Sequence, residues 1–334
     1  MRLSVAASRG LLQRAMTALG HDAAEAAIIA DHLLDCELRG LGYGGLARAV
    51  SIAERMAASG DRREPIRVLR ETPVSALLDG GDNLGYLVAR QATDIAIAKA
   101  KAQGLAMIAG NRTWYTGMLS YYAEMATAED LVVMLASNAT AWVAPHGASE
   151  GRFGTNPICF GFPSTGQPII WDIGTSAIMH AEVVLHRRLG SELPQDVAFA
   201  PDGQPTLDPA AALAGAFAAW GGHRGSGLGL VVQMLGMLAG SPAMPAGLGE
   251  FGFVILALRP DLFTEPAIFK QEIAAYAEAV RAARPVAGGG PVRMPFDRSA
   301  AERRRRLAAD VIEVPDLVHE RLMALVARNT AGAT

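Results

Sequence analysis

Cys36-Glu37-Leu38-Arg39-Gly40-Leu41-Gly42-Tyr43-Gly44-Gly45-Leu46-Ala47-Arg48 carries four glycines between two strongly helical segments. Glycine at that density marks backbone that other residues avoid, or a close approach by something else. Tyr43 sits among these glycines with Arg39 and Arg48 on either side, a placement suited to an anionic small molecule. The same residues also read as a plain helix-to-helix turn ended by Gly40, with solvated arginines.

Working outward, residues 5–19 predict a helix broken by Gly20, and Asp22 caps a second helix over 23–38. Residues 45–58 predict a third, stopped by Gly60, so the first sixty residues read as all-helical. The pattern then changes. Strands are predicted at Ile66–Leu69, Ser75–Asp79, Leu105–Ala109, Leu131–Ala136, Pro168–Asp172 and Phe251–Leu258, and helices over 85–103, 118–128, 176–189 and 266–283. A further helix over 226–239 is apolar nearly all round and is therefore expected to be buried. After the glycine linker at 287–291, helices near 298–309 and 315–328 finish the chain. The fold class is α/β (α+β): a helical subdomain from 1–65 plus 285–334, packed on a mixed-sheet domain over 66–284 that carries a cofactor site. No strand is followed by GxGxxG with an acidic residue some twenty positions on, so a Rossmann fold is not expected.

The totals narrow the function classes. Among 334 residues the net charge is -3, which leaves no electrostatic footprint for nucleic acid. The basic run Arg303–Arg306 reads as a solvated helix face. Only 19% of residues are charged while 51% are hydrophobic, as expected when a subunit interface is buried too. The longest apolar run, Leu228–Ala239, is short for a membrane span and contains Gln233. The N-terminus lacks a signal peptide's apolar core, so a soluble cytoplasmic protein is expected. Neither Cys36 nor Cys159 has a zinc spacing, and none of the seven histidines pairs with acids at ligand spacing, so no metal site is expected.

Two further stretches can carry chemistry. Gly221-Gly222-His223-Arg224-Gly225-Ser226-Gly227 opens a helix, and free N–H groups there suit a phosphate, with Arg224 adding charge. Close helix packing explains the same glycines. Asp172-Ile173-Gly174-Thr175-Ser176 places a strand-end carboxylate before a hydroxyl pair: ordinary helix capping, or a second anchor for a cofactor's ribose or phosphates. His146 and His223 lie in glycine-rich loops; the other histidines read as surface or structural.

Together these pieces resemble the malate/L-lactate dehydrogenase 2 family, which includes ureidoglycolate and sulfolactate dehydrogenases and cyclic-ketimine reductases. The likeness runs over nearly the full chain. Its markers are Leu38-Arg39-Gly40 with Gly45-Leu46-Ala47-Arg48, Gly117 to Met125, Ser137-Asn138, Gly154-Thr155-Asn156-Pro157, Asp172 with Thr175-Ser176, and Gly221-Gly222-His223-Arg224-Gly225. The resemblance implies a non-Rossmann NAD(P)-dependent oxidoreductase. It further implies a homodimer with its active site near the interface, reducing a C=O or C=N bond beside a carboxylate. It implies a cofactor site at Asp172, Gly174, Thr175, Ser176, His223, Arg224 and Gly225, approached by Arg304 or Arg306. Arg48 matches the position that contacts the substrate carboxylate, a task suited to its bidentate fork.

The sequence departs from the family at the reaction centre. Gly44 stands where the family has its proton-donating histidine, Tyr43 where it has serine, and Trp114 where it has a second histidine. Met179-His180-Ala181-Glu182 replaces a segment with two cations, which favours NADH over NADPH unless Arg304 or Arg306 folds back onto the cofactor. Hydride transfer to a ketone leaves an alkoxide that needs an acid, an aid worth ~10²–10⁴-fold. An iminium arrives protonated and yields a neutral amine. The first expectation is therefore an imine (ketimine) reductase with a histidine-free chamber, its residues Tyr43, Arg48 and Trp114. Alternatives are a 2-oxo-acid/2-hydroxy-acid dehydrogenase with Tyr43 or His146 as acid, and a degenerate homologue that binds a ligand without turnover.

Overall fold

The computed structural model describes residues 1–331, with side chains to 327. A short strand β1 (Arg2–Leu3) leads into α1 (Val5–Ala18), α2 (Ala23–Leu38) and α3 (Leu46–Ser59). Ser4 and Asp22 cap α1 and α2 by accepting the N–H of Ala7 and of Glu25. Next come β2 (Arg67–Thr72), β3 (Ser75–Leu84), α4 (Gly85–Gln103), β4 (Leu105–Trp114), α5 (Leu119–Ala128) and β5 (Val132–Ser137). The middle of the chain supplies β6 (Ile158–Phe162), β7 (Ile169–Ile173), α6 (His180–Leu189), β8 (Ala198–Phe199), α7 (Pro209–Ala214) and β9 (Ala216–Phe217). The chain then forms α8 (His223–Leu238), β10 (Phe251–Leu258), α9 (Pro266–Arg281), α10 (Asp297–Ala309), β11 (Ile312–Glu313) and α11 (Asp316–Ala331).

Among the described residues one large mixed sheet runs in the order β2-β3-β4-β10-β5-β6-β7. Only β3 and β4 pair in parallel; every other neighbour is antiparallel. This is a mixed α/β fold without the run of parallel strands a Rossmann unit requires. Side chains alternate across the sheet. Phe253 and Ile255 of β10 face α4 and α5 in one apolar cluster, while Val254 faces Val232 of α8 in another.

The helices of the two ends share another cluster, which also takes in Leu84, Leu87, Trp114 and Phe251. Leu12, Ile29, Leu33 and Ile52 pack with Ile312, Val318 and Leu322, and β1 pairs antiparallel with β11. Truncating one of these leucines to alanine would cost ~2–5 kcal/mol. No helix among the described residues is long and apolar enough to cross a membrane.

Two expectations from the sequence fail here. The helix expected over 176–189 begins only at His180, because 175–177 run extended alongside 218–220: Ala177 N–H donates to Ala218 O and Trp220 N–H to Thr175 O. The hydroxyl pair therefore caps nothing. And α8, expected to be buried all round, is buried on one side only. Gly225, Gly229, Val232 and Gly236 face the protein, while Leu230, Val231, Met234 and Leu238 are exposed.

Candidate active site

The ends of β4, β5 and β7 and the beginnings of β10 and β6 meet at one end of the sheet, as the pairings Phe251↔Thr113, Phe253↔Ser137 and Ile158↔Ile173 require. The turn between α2 and α3 lies over that end. Gly40 leaves α2 at φ 82°, and Gly42–Gly44 form a single 3-10 turn before α3 starts. Gly45 is dictated by contact: a Cβ there would fall inside the buried Glu37 side chain, whose Oε1 accepts the Leu46 N–H at 2.7 Å. The turn thereby aims Tyr43 and Arg48 at the sheet.

Between the turn and the sheet end lies a chamber of about 430 Å³. Its walls include Tyr43, Tyr115, Trp142, Phe251 and Phe296, an aromatic lining suited to a flat or cationic ring. Tyr115 and Phe296 both hold left-handed backbone, at φ 55° and 77°, conformations costly for bulky residues and concentrated at functional sites. Ser137, Asn138, Thr155 and Asp172 supply polar edges.

Arg48 is the charged centre of this chamber. Its guanidinium lies 4.0 Å from the centre of the Tyr115 ring, and its Nη1 is buried without a hydrogen-bond partner. A buried donor left unmade costs ~1–3 kcal/mol, more for a charged group, so the site is short of one acceptor. A planar carboxylate has the shape and charge to supply it. Burial pushes the Tyr43 phenol upward, and Glu182, Cys36 and Asp172 add to this against the opposing charge of Arg48. Tyr43 is therefore a weaker acid than a free phenol and stays protonated.

His180 also lines the chamber, where the sequence pointed to no histidine. Its ring stacks on Trp142 at 3.9 Å and 13°. Burial pushes its pKa down to about 3, helped by the charges of Arg48 and Arg187, and the imidazole is neutral. The sequence hid it because its position depends on the late start of α6.

The other residues singled out from the sequence divide clearly. Asp172 and Gly174 line the chamber, and the Asp172 carboxylate accepts the Ser120 N–H at 2.7 Å at the start of α5. Burial raises the pKa of Asp172 despite that bond. Thr175 and Ser176 are buried beyond the chamber wall, bonded to Thr155 O and Ala218 O. Trp114 is excluded from the chamber: its Nε1 donates to Asp82 O and its face carries Arg55, so Tyr115 takes its place in the wall.

His223, Arg224 and Gly225 open α8 outside the chamber lining; Gly225 presses on the Trp220 carbonyl, and His223 faces His146 at 6.0 Å. Arg306 is held by Glu302 and Glu37 O. Arg304 bonds Gln167 in a second cleft of about 640 Å³ that also holds Arg281, Arg293 and Arg298. Arg298 lines both cavities.

Comparison with known proteins identifies the family and the fold. The sequence profile of a family described as malate/L-lactate dehydrogenase matches residues 3–323. The chain is 28% identical to the L-sulfolactate dehydrogenase of Methanothermobacter thermautotrophicus, covering 97% of this chain and 96% of that one. It is 30% identical to the Delta(1)-pyrroline-2-carboxylate reductase 1 of Burkholderia ambifaria, with 97% of each covered. The crystal structure of a dehydrogenase from Sinorhizobium meliloti superposes with a TM-score of 0.90 at 31% identity, covering 98% of both chains.

Proposed function

The chain belongs to the malate/L-lactate dehydrogenase family, and from that premise we propose that this oxidoreductase reduces a C=N bond, in a cyclic imine or ketimine, next to a carboxylate. One observation carries the reading: the unpaired, buried Nη1 of Arg48 inside an aromatic chamber. The guanidinium takes the carboxylate, and the rings of Tyr43, Tyr115 and Trp142 hold a flat, cationic ring beside it. The name of the Burkholderia relative is consistent with such a substrate.

The residues fit a nicotinamide nucleotide. The chamber has room for its reactive half, and the cleft beyond Arg298 offers Arg293 and Arg304 to its phosphates. When bound, the reduced nicotinamide supplies the hydride. The arginine cleft supports a 2′-phosphate and hence NADPH, against the preference for NADH drawn from residues 179–182. A second reading, reduction of a 2-oxo acid, is favoured by His180 in the chamber wall, with Tyr43 a poor acid.

We further read the molecule as a homodimer joined through α8. Leu230, Val231, Met234 and Leu238 form an apolar face without cover, of the kind subunits bury. Gly236 of that helix lies against chamber-lining Asn138, which sets the reaction site close to the interface.

Titration of NADH and NADPH separately, followed by assays of 1-pyrroline-2-carboxylate against pyruvate and oxaloacetate, tests the proposal. Higher kcat/KM on the imine is expected. Preference for the 2-oxo acids overturns the first reading in favour of the second, and failure to bind either nucleotide overturns both.

A further inference from the structure

We infer that His180, presented by the first turn of α6, handles the proton that reduction in this chamber consumes. The inference rests on the carboxylate-binding reading of Arg48.

The placement is specific. Stacking on Trp142 fixes the plane of the imidazole and leaves both nitrogens at the ring edge. Among the described residues neither nitrogen has a hydrogen-bond partner, and the side chain is part of the chamber wall. The other acids at the chamber are less suited to the task, the Tyr86 phenol because burial pushes it up and the Tyr115 ring because it carries the Arg48 guanidinium. The Tyr43 phenol and the Cys36 thiol are pushed up by burial, and Asp172 is committed to the Ser120 N–H. His32 lies behind the wall with its Nε2 accepting the Met118 N–H, and His146 faces His223 elsewhere.

Charge explains how the proton would arrive. The groups acting on His180 are Arg48 from α3 and Arg187 from its own helix; Tyr43, Cys36 and Asp172 share the chamber, and Glu182 lies one half-turn on. With the chamber lacking an anion, two guanidinium charges and burial keep the ring neutral. A carboxylate paired with Arg48 cancels the nearer charge and adds a negative one, so the imidazole gains affinity for a proton as the substrate binds.

The bond changes then balance. For a 2-oxo acid, a hydride adds to C2, the C=O π pair moves to oxygen, and that oxygen takes the proton from the imidazolium, leaving neutral His180. For a cyclic imine the same proton passes first to nitrogen; the hydride then adds to carbon, the π pair moves to nitrogen, and a neutral amine results. In both cases the substrate gains one hydride and one proton, two electrons and two hydrogen nuclei in all, with its net charge unchanged.

Calorimetric titration of pyrrole-2-carboxylate into the full chain, with NADPH or NADH present, in two buffers of different ionisation enthalpy, reads proton uptake directly at about pH 6.5. The wild type is expected to take up protons on binding. His180→Gln is expected to bind within ~3-fold yet take up none, and to lose ~10²–10⁴ in kcat on a 2-oxo acid with KM little changed. Uptake that persists in His180→Gln overturns the role of His180 alone. Failure of the wild type to bind the carboxylate overturns the Arg48 reading and this inference with it. Should His180→Gln not fold, NMR titration of labelled histidines in Arg48→Met decides: an imidazole titrating nearer to about 6.5 than in the wild type supports the coupling, and an unmoved one overturns it.

Discussion

The Arg39 guanidinium lies 4.6 Å from the centre of the Phe296 ring, although Phe296 adopts left-handed backbone at φ 77° to meet it. Arg39 is itself fixed by Asp35 at 2.6 Å and by Glu124. The contact holds an aromatic ring in the chamber wall at a place where glycine would carry no strain. Phe296→Ala loses the ring and keeps the strain; Phe296→Gly loses both. The glycine variant is expected to be more stable than the alanine variant by ~1 kcal/mol, the reverse of the usual order, as thermal unfolding would show.

Arg48→Lys retains charge but loses the planar fork and its stacking on Tyr115. A fall in kcat/KM of ~10²-fold is expected, carried mainly by KM, while nucleotide binding by fluorescence stays unchanged. A fall below threefold would mean that the carboxylate sits elsewhere.

Two buried groups give opposite pH dependences. Burial raises Glu37 to about 7, against the Leu46 N–H and Arg306, so the folded state binds the extra proton. Its contribution to stability is full below the ordinary glutamate range and is lost as pH rises from ~4.5 to 7, at no more than ~1.4 kcal/mol per unit. Burial lowers His32 to about 3, so its contribution is full above ~6.5 and lost as pH falls toward 3. Glu37→Gln is expected to raise stability at neutral pH relative to mildly acidic pH, and His32→Gln to do the reverse. Urea midpoints across this range check both.

Met234→Asp with Leu238→Asp places two charges on the exposed face of α8. Light scattering is expected to show conversion from dimer to monomer, with the secondary structure seen by circular dichroism retained. A dimer that survives both changes would place the interface on another face.

The sequence made the sheet and most helices readable because each has one environment. Phe251–Leu258 and Gly85–Gln103 appear where periodicity and Gly104 put them. It failed where position depends on distant partners. Apolar residues on α8 cannot say which side finds cover, since the glycines that face inward carry no hydrophobic signal. The start of α6 was invisible because strand-like pairing with 218–220, some forty residues away, overrides the local hydroxyl signal. His180 was read only as part of a segment that had lost its cations, because its stacking on Trp142 exists only in the folded chain. Of the neighbouring aromatics Trp114 and Tyr115, only Tyr115 faces the chamber, since successive strand residues point to opposite faces.

The pairing of β1 with β11 and the packing of α1 against α11 have a consequence for biosynthesis. Helices α1–α3 leave the ribosome well before β11 and α11, which complete their core. The sheet can form while the opening helices still expose Leu12, Leu33 and Ile52. Closing so long a loop adds little to the equilibrium cost, because that cost grows only logarithmically with length. The delay instead sets a period during synthesis when the nascent chain is most exposed to aggregation and most dependent on chaperones.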